Sequence, residues 1–154
     1  MRKLGYIAVQ PPFFMKKDMM GKVAELKDYE ESLYRIVDDP EKPETDMFLI
    51  ATSEQPLCVL HHNKMYEKSQ LPGRYAGFSS CFRKEAGSSG RDIRGIFRVH
   101  QFEKIEQFVV TTPEDSVAEH DRMIAVAQEF YESLEIPYQT VCIVSAELKK
   151  TQNF

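Results

Sequence analysis

Along the first 150 positions, the spacing of apolar residues changes several times between the two-residue period of strands and the three-to-four-residue period of helices. Tyr6-Ile7-Ala8-Val9-Gln10 is rich in strand-favouring residues and stops at Pro11-Pro12, which predicts a short strand over residues 5–10. From Asp18, a residue suited to an N-cap, Met19, Met20, Val23, Leu26, Leu33 and Ile36 recur at helical spacing and predict an amphipathic helix. Residues 38–46 (DDPEKPETD) are acidic and punctuated by proline, the pattern of an exposed connector. MFLIATSEQPL then predicts a buried strand running into a turn or helix start at Thr52 and Ser53. Residues 74–84 and 96–111 predict two strands of a long hairpin whose tip carries Gly87, Ser88, Ser89, Gly90 and Gly95. After Pro113 and its neighbouring acids, Val117, Met123, Ile124, Ala127, Phe130, Tyr131 and Leu134 form a helical stripe. YQTVCIVSAEL predicts a last strand. Without internal repeats or a regular βαβ rhythm, these elements predict a single α+β domain over residues 1–154, an antiparallel β-sheet flanked by helices.

Composition narrows the chemistry. Hydrophobic residues make up 42% of the 154 positions and charged residues 29%. No apolar run approaches the roughly 20 residues of a membrane span, so the expectation is a soluble, cytoplasmic protein. The three cysteines, Cys58, Cys81 and Cys142, are far apart and in apolar or strand-like settings, which predicts buried thiols rather than disulfides. No His or Cys stands at zinc-ligand spacing, so no metal-binding residues are predicted.

The net charge of −4 argues against binding nucleic acid over the whole surface. Its distribution is uneven: between Cys81 and Glu106, six basic residues (Arg83, Lys84, Arg91, Arg94, Arg98, Lys104) face four acidic ones. The rest of the chain is decidedly acidic, so the hairpin is where an anionic ligand would find positive charge. Strand alternation puts Arg98, His100, Phe102, Lys104 and Glu106 on one face of the second strand and Phe97, Val99 and Ile105 on a core face. Arg83 and Glu85 share a face of the first strand, and pairing would bring them beside Phe102 and Glu106. A guanidinium grips phosphate or carboxylate through two parallel bonds, and an aromatic ring stacks on a base. An ordinary solvated sheet face with Arg/Glu cross-strand pairs is the alternative reading of the same residues.

CFRKEAGSSGRD followed by GIFRVHQFEKIEQF resembles motif 2 of class II aminoacyl-tRNA synthetases, in the form found in the seryl-tRNA synthetase family of eukaryotic cytosolic and archaeal type. GYIAVQPPFF is similar to the strand end of motif 1, with Pro12 as its proline, and TSEQPL is similar to the serine-binding loop usually written TAEQPL. The resemblance covers roughly Gly5 to Leu148. It implies an antiparallel sheet flanked by helices, and ATP-dependent activation of L-serine to seryl-adenylate followed by transfer to tRNA(Ser). The first step needs positioning and charge stabilisation more than side-chain proton transfer.

Carried over by the resemblance, Arg83 is the catalytic residue, bridging the serine carboxylate and the α-phosphate of ATP. Lys84, Glu85, Val99, His100, Gln101 and Phe102 would join it around the nucleotide, with Glu85 accepting from the adenine amino group and Phe102 stacking on the base. Thr52 and Glu54 would hold the serine ammonium, and Glu106 would accept from the substrate hydroxyl. Arg91 and Arg94 would reach the tRNA acceptor end. The resemblance also implies magnesium, whose ligands it places outside this chain, and a homodimer in the full-length enzyme, with no role for DNA or membranes. Ser53 stands in place of the usual alanine, and Gly73 where a bulkier residue is common. The N-terminal arm and motif 3 of the family are not found in these 154 residues, so the chain is expected to be a partial catalytic core. A non-catalytic module that binds nucleotide, tRNA end or a protein partner is the alternative.

Overall fold

The computed structural model describes residues 2–24, 32–85 and 98–144. They fall into two compact units, Met1–Glu119 and His120–Phe154. Among its described residues the first unit carries six strands: β1 (Ile7–Val9), β2 (Phe14–Lys16), β3 (Arg35–Ile36), β4 (Met47–Leu49), β5 (Gly73–Phe82) and β6 (Gln101–Val110). The α-helices described there are the single turn α1 (Lys17–Met20) and α2 (Glu54–Leu60). A longer helix, α3 (Ser116–Ser133), begins at the end of this unit.

The predicted hairpin is the dominant element. β5 and β6 pair antiparallel over ten residues, from Gly73 opposite Val110 to Phe82 opposite Gln101, and β1 joins the free edge of β5 in parallel register. The ladder satisfies the backbone, and the side-chain alternation decides which groups share a face. Tyr75, Gly77, Ser79 and Cys81 of β5 share one face with Phe108, Glu106, Lys104 and Phe102 of β6. α2 lies on that face: an added Cβ on Gly77 would stand 2.8 Å from Leu57 and 3.0 Å from the Ser53 hydroxyl. Only glycine lets the helix start come so close to the sheet.

β2, β4 and β3 form a second antiparallel sheet that supplies the core. Met15, Met20, Leu33, Phe48 and Ile50 pack together there, and Met20 and Ile50 are wholly buried. Each such side chain contributes about 1.5–3 kcal/mol relative to exposure. Phe82 donates its backbone N–H to Ile50 O at 2.8 Å, tying this core to the end of β5.

Five expectations change. The helix predicted from Asp18 to Ile36 is one turn long among the described residues, and Ile36 sits in a strand. Residues 25–31 lie outside the described residues. Residues 138–144 form no strand, although β-branched residues crowd there; Val141 and Val144 are exposed rather than paired. Cys81 is buried, but Cys58 and Cys142 are exposed. The face assigned to core by alternation is partly open, with Ile105 59% and its cross-strand neighbour Phe78 45% exposed. The acidic connector is largely exposed as predicted, but its last residue, Asp46, is wholly buried and paired with Arg35 at 2.5 Å.

In the second unit the later turns of α3 hold the segment after them through two bonds. Gln128 donates to the Thr140 hydroxyl at 3.1 Å, and the Tyr138 hydroxyl donates to Glu132 at 3.0 Å.

Candidate functional site

All described site residues lie in the first unit, where the ends of β5 and β6 meet the loop before α2. The ladder extends one step beyond the strands, Arg83 donating its backbone N–H to His100 O at 2.9 Å. The Arg83 guanidinium carbon lies 5.1 Å from the centroid of the Phe102 ring, a cation over an aromatic face. Its Nε donates to Ala51 O at 3.3 Å. The exposed guanidinium therefore sits between the aromatic ring and the residue preceding Thr52.

Two residues further, Glu85 turns the backbone sharply, with a positive φ of 55°. Only a few per cent of residues other than glycine adopt this region, at some energetic cost. Its carboxylate is largely buried and ion-paired with Arg98. This departs from the position beside Glu106 that simple pairing would give: Glu106 stands opposite Gly77, several residues along the ladder. Lys84 donates its backbone N–H to Ser32 O at 2.9 Å. His100 meets the Tyr34 hydroxyl through Nδ1 at 2.7 Å. Val99, His100 and Gln101 are exposed beside this end of the site.

The other end is built on Thr52. Its hydroxyl donates to Glu106 Oε2 at 2.6 Å and accepts from Lys104 Nζ at 2.6 Å and from the Glu54 backbone N–H at 3.2 Å. Lys104 is also ion-paired with Glu106 Oε2. One donor and two acceptor positions exhaust what a hydroxyl offers. Thr52 is thus a hub for protein groups, while Glu54 is exposed on the first turn of α2. Behind it Gln55 accepts the Ala51 N–H at 2.9 Å, and Ser53 donates to Gly77 O at 3.4 Å, so the loop is fixed from its buried side.

The structure brings Arg83 and Phe102 together, and separately Thr52, Glu54 and Glu106; Glu85 turns instead towards Arg98. Arg91 and Arg94 lie outside the described residues. Lys104, Tyr34 and Gly77 were not among the predicted site residues. Alternation already placed Lys104 on the face of Glu106, but its bond to Thr52, 52 residues away in sequence, has no local signature. Among the described residues no three acidic, imidazole or thiol groups converge as a metal site.

Comparison with known proteins gives these positions a context. The family model described as tRNA synthetase class II core domain (G, H, P, S and T) matches residues 34–153. The serine--tRNA ligase of Helianthus annuus is 53% identical over 150 residues, covering 96% of this chain and 33% of its own length. The cytoplasmic serine-tRNA ligase of Naegleria fowleri, solved in complex with AMP, is 51% identical with a TM-score of 0.87, covering 96% of this chain and 34% of that one. The seryl-tRNA synthetase of Pyrococcus horikoshii, solved with ATP, is 41% identical with a TM-score of 0.79, covering 89% and 29% respectively. The chain spans about a third of the length of these relatives.

Proposed function

This chain belongs to the class II tRNA synthetase core family, and we propose that it carries the serine-activating part of a serine--tRNA ligase, binding L-serine and ATP as seryl-adenylate forms. The observation that carries this reading is the set of groups that one face of the sheet gathers beside the Thr52 loop. The Arg83 guanidinium lies over the Phe102 ring and bonds to Ala51 O, and the Glu106 carboxylate meets the Thr52 hydroxyl. Phe102 and Glu106 lie four residues apart on one face, about 13 Å along a strand. A base at the Phe102 end and a small hydroxylated amino acid at the Glu106 end, joined through an anionic centre near Arg83, would fit this array.

Each group then has one role. Phe102 stacks on the adenine, with Glu85 accepting from its amino group and Lys84, Val99, His100 and Gln101 bordering it. Arg83 rests over the Phe102 ring and, among the described residues, its side chain donates only through Nε, to Ala51 O, so the rest of its fork is available to an anion and bridges the serine carboxylate and the α-phosphate. In the reaction a serine carboxylate oxygen attacks the α-phosphorus as the bond to the pyrophosphate oxygen breaks. Arg83 supplies positive charge where negative charge builds up, without a proton transfer. Glu54 receives the serine ammonium and Glu106 the hydroxyl. Complexes of the Naegleria and Pyrococcus proteins with AMP and ATP support the nucleotide half.

For the whole protein we propose transfer of serine to tRNA(Ser), with Arg91 and Arg94 towards the acceptor end, a cytoplasmic location and a homodimeric state. Magnesium would accompany the ATP phosphates; the described residues offer no cluster that fits it. No described helix is long and apolar enough to cross a membrane.

Calorimetry with a non-hydrolysable seryl-adenylate tests the reading. The chain should bind it, and Arg83→Ala should weaken binding by about 1.5–3 kcal/mol, the range for a hydrogen bond to a charged group. Absence of binding, or equal binding by the variant, would refute the assignment. Serine-dependent ATP–pyrophosphate exchange then separates a catalytic chain from a module that only binds.

A further inference from the structure

We infer that Lys104 is a positioning residue that sets selectivity for the serine hydroxyl. The inference rests on the reading of Glu106 as the hydroxyl acceptor and concerns how that carboxylate is aimed. Glu106 Oε2 receives both the Thr52 hydroxyl and the Lys104 ammonium, and the same ammonium donates to Thr52. The three side chains close a ring of contacts around one oxygen. Oε1 has no partner among the described residues and is the oxygen left to accept from a ligand.

A carboxylate free to turn about its last torsion offers either oxygen over a broad range of directions. With Oε2 held from two sides, by groups on the strand and on the α2 loop, that turn is blocked. Lys104 is suited to the part because its ammonium has three donors, two of which serve Glu106 and Thr52. Glu106 and Lys104 project from the same face of β6, and Gly77 and Ser79 opposite them are too small to push between. A ligand lacking the hydroxyl leaves Oε1 unpaired, and the penalty is felt in full only if the carboxylate cannot turn away to another partner or to water. Lys104 therefore acts on discrimination more than on affinity for the nucleotide half, which lies towards Phe102.

The test compares seryl- and alanyl-sulfamoyl adenosine binding to the full chain, with AMP as a third ligand, for the unsubstituted chain, Lys104→Met and Lys104→Arg. The unsubstituted chain should prefer the seryl compound. Lys104→Met should lower that preference at least about tenfold, the equivalent of 1.4 kcal/mol, while leaving AMP affinity unchanged, and Lys104→Arg should restore part of it. A preference unchanged in Lys104→Met overturns the positioning role and leaves the serine reading intact. Parallel weakening of all three ligands, AMP included, assigns Lys104 to general structure and likewise overturns it. An unsubstituted chain that binds the two sulfamoyl compounds equally overturns the assignment of Glu106 and this inference with it.

Discussion

Replacing Gly77 with alanine should loosen the seat of the loop before α2. The added methyl would lie 2.8 Å from Leu57 Cδ1 and 3.0 Å from Ser53 Oγ, with Ser53 Cβ at 3.2 Å. None of these can swing into solvent, because Leu57 is 1% and Ser53 0% exposed. The start of α2 must therefore rise off β5, and overpacking of this kind costs about 1–3 kcal/mol. For a chain of this size each kcal/mol is about 2–4 °C of melting temperature. Thr52 precedes Ser53 directly, so the same displacement stretches its 2.6 Å bond to Glu106 and should weaken seryl-analogue binding. Thermal and urea unfolding followed by far-UV circular dichroism would measure the first effect and calorimetry the second. Leu57→Ala makes room for the new methyl, so adding Gly77→Ala to that variant should cost less than in the parent. A Gly77→Ala chain as stable as the parent, or two substitutions whose penalties simply add, would refute the close packing of helix on sheet as the cause.

Further expectations rest on other contacts. Arg83→Lys keeps a positive charge but loses the fork and the guanidinium over Phe102, so calorimetry with a seryl-adenylate analogue should show a loss of about 1–3 kcal/mol; unchanged affinity would contradict its role. His61 stacks on Phe108 with its Nε2 buried and without a partner among the described residues and Nδ1 on the Tyr66 hydroxyl, and burial, then the Lys64 charge, push its pKa down. The unfolded chain thus takes up the proton first, so stability is full above the ordinary imidazole range near about 6.5 and falls as pH drops through it towards the lower folded value. Denaturant midpoints at several pH values should show that slope, and His61→Phe should reduce it. Arg35→Ala leaves Asp46 buried without its cation and should cost about 3 kcal/mol, the low end for such a pair because Arg35 is half exposed; urea titration of the variant would show this, and a loss below 1 kcal/mol would contradict it.

The parts of the fold that could be read from the chain are those set by local pattern. Strand alternation assigns the faces of β6, so Phe102, Lys104 and Glu106 fall together in both sequence and structure, whereas the register does not follow from it: Glu106 stands opposite Gly77 and not beside Glu85. The stripe from Val117 to Phe130 likewise yields α3, whose start follows Pro113 and its acids. Between Asp18 and Ile36 the same logic misleads. Met20 and Leu33 do share a core, but they reach it from a single helical turn and from the segment before β3, and periodicity cannot tell one element from two that converge. Val141, Ile143 and Val144 favour strands by type, yet strand preference is realised only against a neighbouring strand. In the site, Arg83 and Phe102 were legible because neighbouring strands bring them together. The Thr52–Lys104–Glu106 ring joins a loop to a strand across half a hundred residues, and the Glu85–Arg98 pair depends on a backbone turn at Glu85 that its sequence neighbours do not announce.

The most direct measurement is to map the binding of a non-hydrolysable seryl-adenylate by amide chemical shifts on the isotopically labelled chain. The account predicts that perturbations concentrate in a continuous track through Ala51–Glu54, Arg83–Glu85 and Phe102–Glu106, and that Arg83→Ala weakens them together. Shifts confined to the outer face around Phe78 and Ile105, or scattered without saturation, would contradict a seryl-adenylate site on this sheet.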